Sequence, residues 1–403
     1  MNHLLRNLVC RRLADLDHGL LVLDDAGRRQ EFGHRGDDLP AARVEVRDPC
    51  FYRNLAFGGS LGAAEAYIRG YWTCDNLVDL VRIFCQNAAV SAGLENGTAR
   101  FLSPIARLGH WLRRNTPAGS RRNIAAHYDL GDEFFALFLD ETMAYSCAVF
   151  PRPDSTLHEA SLAKFDHICR KLALTPDDHL LEIGSGWGGF ALYAARNFGC
   201  RVTTTTISQK QYDHTCRLVA DADLDDRVTV LCRDYRDLAG TYDKLVSIEM
   251  IEAVGHQYLD SFFACCGKLL KPNGLLALQA ITVPNRWYAQ HKHKATFINQ
   301  YVFPGSCLPS DTAMCESITR SSNLDLIVKE DITAHYVKTL AIWRARFMAK
   351  LDQVRKFWPG EAFIRTWDLY FASCEAGFAE RDINVGQYLF AKPKATPRLS
   401  YGS

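Results

Sequence analysis

Glu182, Gly184, Gly186, Gly188 and Gly189 fall within nine residues, Leu181-Glu182-Ile183-Gly184-Ser185-Gly186-Trp187-Gly188-Gly189. That spacing suits a ligand pressed against bare backbone, because glycine has no Cβ to clash with it. Leu180, Leu181 and Ile183 ahead of the turn read as a buried parallel strand, and Phe190-Ala191-Leu192-Tyr193-Ala194-Ala195 behind it reads as a helix. Strand, glycine turn and helix together describe a nucleotide-binding crossover. A dinucleotide site favours G-x-G-x-x-G, with a pyrophosphate over the helix N-terminus. Here the pattern is E-x-G-x-G-x-G-G, with Glu182 inside the strand. Read alone, such a turn also admits a Rossmann site for another adenosine cofactor. A second stretch, Tyr145-Ser146-Cys147, follows Asn123 to Gly131 (NIAAHYDLG) and sets a phenol, a hydroxyl and a thiol side by side.

Residues of this kind need a scaffold, and 403 residues suffice for two domains with their own cores. The 48% apolar and 23% charged content is that of an ordinary globular protein. A net charge of +1 argues against a broad nucleic-acid surface. Fourteen irregularly spaced cysteines without a C-x-x-C pair suggest reduced thiols in a cytosolic setting, neither a disulfide scaffold nor a metal site. The first residues lack the apolar core and cleavage site of a signal peptide. No run approaches the roughly 18 apolar residues needed to span a bilayer, so membrane contact is expected to be peripheral.

Along the chain, residues 1–97 read as a small α+β domain. Strands are expected around Leu21-Val22-Leu23, Glu31-Phe32 and Val44-Glu45-Val46, with a turn at Asp25-Ala26-Gly27, and Asp75 is expected to cap a helix from Leu77 to Phe84. Residues 98–122 read as a connector. Ser103-Pro104 starts a helix with Ile105, Leu108, Trp111 and Leu112 on one face and Arg107, His110, Arg113 and Arg114 on the other, followed by Arg121 and Arg122. Such a helix either lies on an anionic membrane surface or packs as a linker with a solvated basic face. From residue 123 onward the expectation is a doubly wound α/β domain of seven strands, at 179–183, 201–206, 228–232, 244–248, 275–283, 324–330 and 385–391, the last one antiparallel. The aromatic-rich stretches 284–310 and 335–381 read as a helical lid over the carboxyl ends of the strands, where such folds bind ligands.

The E-x-G-x-G-x-G-G turn resembles the first motif of S-adenosylmethionine-dependent methyltransferases, whose ligand carries no phosphate. The wider chain resembles the cyclopropane-fatty-acyl-phospholipid synthases and their mycolic-acid methyltransferase relatives, nearly end to end. The motifs are GGSLGAAEAYIRGYW (58–72), NIAAHYDLGDEFF (123–135), MAYSCAVF (143–150), LEIGSGWGGFA (181–191), TISQKQ (206–211), EMIEAVGH (249–256), YVFPGSCLPS (301–310), HYVKTLAIWRARF (335–347) and CEAGFAERDINVGQ (374–387).

The resemblance implies S-adenosylmethionine as cofactor, with Gly184 and Gly186 on its methionine and ribose side and Tyr145 and Ser146 closing over the methionine end. It assigns ribose and adenine contacts to Thr206, Ile207 and Gln211, where strand two lacks the usual carboxylate, and to the backbone of Tyr235 and Arg236. A hydroxyl and an amide can pair with ribose hydroxyls without adding charge. His127 and Asp129 would order the closing segment.

The implied reaction transfers a methylene to the cis double bond of an unsaturated phospholipid acyl chain. Methyl transfer leaves a carbocation, which aromatic faces stabilise; Tyr145, Tyr301, Phe303 and Tyr336 are candidates. Ring closure removes one proton, and the family is thought to hold a bicarbonate ion as base. Its matching ligands here are Cys147, Glu252, the backbone of Ile281, and Tyr336. Where the family motif is often His-Thr-Ile, this chain has Gln279-Ala280-Ile281; glutamine can hydrogen-bond the ion but cannot titrate. Read without the resemblance, Cys147 could be core, Glu252 a helix cap and Tyr336 a packing residue. Cys374 matches a cysteine regarded as a candidate nucleophile, although direct transfer needs no covalent intermediate and a thiolate near a carbocation would be alkylated. The expected partners are the lipid and an anionic membrane surface at the inner face, with no nucleic acid and no metal; a homodimer is left open. A methyl-branched lipid product, methylation of a small amine, and a lipid-binding protein with a decayed site are the competing functions.

Overall fold

The computed structural model describes residues 2–96 and 130–396. The basic connector at 98–122 and the His127–Asp129 part of NIAAHYDLG lie outside the described residues. The described chain forms two compact units. One comprises residues up to 96 with His293–Val302 and Leu340–Asp382; the other comprises residues 130–292, Phe303–Thr339 and the chain from Ile383 onward.

In the first unit, β1 (Leu20–Asp25), β2 (Arg28–Gly33), β3 (Ala41–Val46) and β4 (Trp72–Cys74) form a sheet of order β2-β1-β3-β4. Ala26 and Gly27 both take positive φ, 51° and 80°, as a two-residue hairpin turn between β1 and β2 requires. The helix Leu77–Gln86 is capped by Asn76, whose side chain accepts from the Asp79 N–H. The expected cap, Asp75, instead accepts from the Arg43 N–H at 2.7 Å. Its carboxylate ties β3 to the strand-to-helix turn and is spent before the helix begins. The stretches read as one lid are divided between the units. The helix Glu361–Ala379 packs on helices Cys50–Ile68 and Leu77–Gln86 of the first unit, where Asp368 accepts from the Tyr67 hydroxyl at 3.0 Å and Arg344 at 2.7 Å.

The second unit is an α/β fold on a sheet of order β10-β11-β9-β8-β5-β6-β7. Its strands are β5 (His179–Ile183), β6 (Arg201–Thr206), β7 (Val228–Cys232), β8 (Tyr242–Ile248), β9 (Leu270–Thr282), β10 (Asp325–Asp331) and β11 (Asn384–Ala391). The pairings β5–β6, β5–β8, β6–β7 and β8–β9 are parallel, and β11 is antiparallel to both its neighbours. Side chains alternate across a strand, so Leu181, Ile183, Leu245, Leu276 and Leu278 pack on one face while Leu180, Val202, Val246, Leu275 and Ala277 pack on the other. Both faces are dry, which explains the unbroken apolar runs; each fully buried leucine is worth about 1.5–3 kcal/mol. From β5 the chain winds outward through β6 and β7, then returns to build β8 and β9 on the other side. Strand order therefore reverses between β5 and β8, and a crevice outside their carboxyl ends is the expected ligand site.

Candidate active site

That switch point gathers most of the residues singled out from sequence. Gly184 and Gly186 follow β5, Thr206 ends β6, Tyr235 and Arg236 follow β7, Glu252 follows β8, and Gln279 and Ile281 close β9. Parallel strands begin on one edge of a sheet and end on the other, so positions remote in sequence arrive on one rim.

On the cofactor side, Gly186 sits at φ +49° with no atom of the described residues within 4 Å of where a Cβ would stand, as suits a turn that cradles a ligand. Gly189 serves packing: a Cβ there would meet the Thr142 carbonyl oxygen at 2.3 Å. Gln211 is 4% exposed, and its Oε1 accepts from the Thr206 hydroxyl at 2.8 Å. It is a built part of the β6 rim rather than a solvated helix position, and its amide nitrogen, without a partner among the described residues, is a donor available to a ligand. Ile207 lies between these two in sequence and is half-buried. Asp234 accepts from the Arg236 backbone N–H at 3.0 Å and from its guanidinium at 2.8 and 2.6 Å, while the Tyr235 carbonyl accepts from the Cys265 thiol at 3.2 Å. The Tyr235–Arg236 backbone is thus held in one conformation. Tyr145 lies among Phe135 and Phe303, with ring centroids at 5.1 and 6.2 Å.

On the chemical side, the centre is a carboxylate that the sequence reading passed over. Glu249, the first residue after β8, accepts through Oε1 from the Cys147 N–H at 2.9 Å and the Gln279 amide at 2.8 Å, and through Oε2 from the Tyr336 hydroxyl at 2.7 Å. Gln279 also donates to the Cys147 carbonyl at 3.2 Å and accepts from Gln387 at 3.0 Å, so its amide is oriented by its neighbours. Glu252 accepts from the Ile281 N–H at 2.6 Å through Oε1, while its Oε2 is buried without a protein partner among the described residues. The Cys147 thiol is fully buried and donates to the Ala148 carbonyl at 3.2 Å.

One further group completes the electrostatics. Lys164 is 0% exposed, and its ammonium donates to the Ser146 hydroxyl at 2.6 Å. Burial pulls its pKa down, against the charge of Glu249. Burial raises Glu249 above the ordinary carboxylate range, opposed by the Tyr336, Gln279 and Cys147 hydrogen bonds and by the Lys164 charge. Glu252 is pushed up to about 8 by burial and by the charge of Glu249. Two buried carboxylates do not both ionise readily. The one with three donors and a cation, Glu249, carries the charge, and Glu252 holds its proton at neutral pH. Burial also keeps the Cys147 thiol protonated.

Both missed groups had a sequence signal. Glu249 directly follows the apolar end of β8, and Lys164 falls on the face of helix Leu157–Lys171 that otherwise carries Leu157, Ala160, Ser161, Phe165 and Ile168. Cys374 lies in the first unit, on helix Glu361–Ala379, where burial pushes its thiol up to about 12. Such a thiol is no nucleophile at neutral pH. Tyr301 also lies in the first unit, its hydroxyl donating to Glu65 at 2.8 Å.

The profile of the family described as mycolic acid cyclopropane synthetase matches residues 116–388. The chain belongs to that family. It is an S-adenosylmethionine-dependent methyltransferase of the family's α/β type. It is 36% identical over 360 residues to the tuberculostearic acid methyltransferase UfaA1 of Mycobacterium tuberculosis, a match covering 85% of this chain and 81% of that protein. It is 34% identical over 355 residues to the cyclopropane-fatty-acyl-phospholipid synthase of Escherichia coli K12, covering 87% and 88%. Among solved structures, the mycolic acid cyclopropane synthase CmaA1 complexed with SAH and CTAB superposes with TM-score 0.63 at 33% identity, covering 68% of this chain and 98% of that one. Coclaurine N-methyltransferase, at 18% identity and TM-score 0.62, shares the fold.

The residues fit the methyltransferase cofactor: an open glycine turn, the buried Thr206–Gln211 pair and the held Tyr235–Arg236 backbone line the rim of β5, β6 and β7. They do not fit the bicarbonate ion that the resemblance implies. The Cys147 N–H and the hydroxyl of Tyr336 already bind Glu249, as does Gln279, and the Ile281 N–H already binds Glu252. A second anion would have to displace a tethered carboxylate beside another buried acid.

Proposed function

We propose that the protein transfers the methyl carbon of S-adenosylmethionine to the cis double bond of an unsaturated phospholipid acyl chain and closes a cyclopropane ring. The observation that carries this reading is a half-buried carboxylate held by three donors at the carboxyl end of β8, in a unit whose Tyr145 and Phe303 rings stack at 6.2 Å. An alkene has no proton to lose before attack, so the first step needs alignment and exclusion of water. The cofactor supplies the electrophilic methyl when bound. This chain's aromatic faces then stabilise the cation on the acyl chain, and a carboxylate takes the last proton. The 34% identity to the Escherichia coli cyclopropane-fatty-acyl-phospholipid synthase supports the substrate class.

A second reading, methyl branching without ring closure, is favoured by the 36% identity to the tuberculostearic acid methyltransferase. Among the described residues no single helix is long and apolar enough to cross a membrane. The proposed setting is cytoplasmic, with the basic segment 104–114 and Arg121-Arg122 holding the protein to the anionic inner face of the membrane. The test is mass spectrometry of unsaturated phospholipids after incubation with S-adenosylmethionine. A gain of CH2 on the acyl chain is expected, and product analysis separates ring, methyl branch and methylene. No mass gain on any unsaturated phospholipid sinks the reading.

A further inference from the structure

We infer that Glu249 is the base of this enzyme, a built-in carboxylate standing where the family resemblance places an external bicarbonate. The inference rests on the lipid reading above and specifies its last step. Three observations carry it.

The first is the identity of the donors. Of the five groups that the resemblance offered to a bound anion, Cys147, Gln279 and Tyr336 converge on the two oxygens of Glu249, at 2.9, 2.8 and 2.7 Å, while the Ile281 N–H bonds Glu252. A carboxylate has about four acceptor positions. Two are used on Oε1 and one on Oε2, which leaves an Oε2 lone pair to receive a proton. Bicarbonate presents the same planar pair of oxygens, so a tethered carboxylate satisfies the same donors without having to be captured from solution.

The second is position. Glu249 stands at the topological switch between β5 and β8, and its neighbour Met250 packs on the cofactor turn, with its Cγ 3.1 Å from where a Cβ on Gly184 would lie. Its backbone N–H donates to the Gln279 carbonyl at 2.8 Å, which continues the β8–β9 ladder by one residue and fixes where the side chain starts. The residue is held at φ +50°. A non-glycine residue in that region costs about 1–3 kcal/mol and persists where its surroundings over-determine it.

The third is charge. Lys164, fully buried and bonded to Ser146, has no salt-bridge partner among the described residues, yet acts on Glu249 electrostatically. It offsets a negative charge that burial alone would extinguish. Glu252, kept protonated by burial and by the charge of Glu249, presents a neutral carboxyl beside it.

The alkene π pair forms the new C–C bond to the sulfonium methyl as the C–S pair returns to sulfur. The acyl chain is then a cation. Glu249 removes a proton from the newly attached methyl group, and that C–H pair forms the third ring bond. Glu249 ends the turnover as the neutral acid and returns its proton to solvent. Tyr336, as donor to Glu249, positions the carboxylate and does not itself act as base.

The experiment compares the full-length wild type with two variants on vesicles of unsaturated phospholipid, in buffer stripped of carbon dioxide and then supplemented with bicarbonate. The wild type is expected to turn over at the same rate in both. Glu249→Gln is expected to lose about 100-fold or more in kcat, the usual worth of a positioned general base, with S-adenosylmethionine affinity by calorimetry retained. Any residual product should shift from ring toward alkene or alcohol, because the cation still forms but is quenched elsewhere. Glu249→Gly suits the left-handed backbone and frees the donors, so bicarbonate is expected to restore part of its activity in a saturable way. A wild type that slows without carbon dioxide and recovers with bicarbonate overturns the inference, whatever the variants do. So does a folded Glu249→Gln with normal turnover. A wild type inactive on every unsaturated phospholipid is a different result, the failure of the substrate reading.

Discussion

Two glycines three residues apart are expected to fail in opposite ways. At Gly186 a Cβ would meet nothing within 4 Å among the described residues, so the stability loss of Gly186→Val is expected to come mainly from φ +49°. Holding an L-residue there costs about 1–2 kcal/mol, which for a unit of this size lowers Tm by roughly 2–8 °C. The isopropyl group occupies the space the ligand needs, so S-adenosylmethionine affinity should fall at least tenfold, about 1.4 kcal/mol. At Gly189 the relation inverts. A Cβ there would stand 2.3 Å from the Thr142 carbonyl oxygen, well inside contact distance. Gly189→Ala must push helix Gly189–Phe198 away from the 142 loop, and overpacking of this kind costs about 1–3 kcal/mol or more. Its melting temperature should drop further than that of Gly186→Val, while affinity in the remaining folded fraction falls less. Thermal melts with calorimetry on both variants make the test. If Gly186→Val binds S-adenosylmethionine like the wild type, Gly186 does not face the cofactor and the site assignment is wrong.

Other outcomes follow from the buried polar groups. Thr206→Val removes the donor that orients Gln211 and should weaken cofactor binding by roughly tenfold, the worth of about one buried hydrogen bond, as calorimetry would register. Burial pushes Glu182 up to about 8, against the Thr204 hydrogen bond and the Lys164 charge. A raised folded-state pKa gives stability that is complete below the unfolded value and lost as pH rises through the folded one. The stability of the wild type relative to Glu182→Gln should therefore decline between about pH 4.5 and 8, and urea titrations across that window would detect a flat difference if the account is wrong. Lys164→Met removes a cation that favours ionised Glu249, so the acidic limb of the pH–rate profile should move to higher pH; an unmoved limb means that Lys164 does not act on the base. Binding to anionic vesicles should weaken with salt, each basic residue near the surface being worth about 1 kcal/mol; equal sedimentation with neutral and anionic vesicles would favour the linker reading of residues 104–114.

Much of the fold is legible in the chain because its signals are local. An apolar run of the length of β5 followed by four glycines can do little other than end a buried strand at a ligand turn, and each strand of the second unit falls within a few residues of its expected place. That β11 runs antiparallel was expected from the methyltransferase resemblance, which the long helical stretch before it fits. Local signals weaken where neighbours compete. Asp75 and Asn76 are both good caps, and the choice between them is made by the Arg43 N–H, an atom 32 residues away from Asp75. Amphipathic helices likewise announce a buried face without naming what covers it, so the Glu361–Ala379 helix could be read as a lid although it packs on helices Cys50–Ile68 and Leu77–Gln86 of the first unit.

The site divides along the same line. Residue types and spacing determined the cofactor turn, because a glycine's freedom belongs to the residue itself. The family resemblance, not the spacing, pointed to Cys147, Glu252, Gln279, Ile281 and Tyr336 as groups around an anion. What the anion is, only the tertiary structure decided. Glu249 is 102, 30 and 87 residues from Cys147, Gln279 and Tyr336, and its place just after an apolar strand end marks a rim position without fixing whether the carboxylate there is held or solvated. Its role arises when parallel strands end on one edge and a buried lysine arrives from a separate helix. Charge in a dry interior is a property of everything packed around it, and that packing cannot be read from any single segment of the chain.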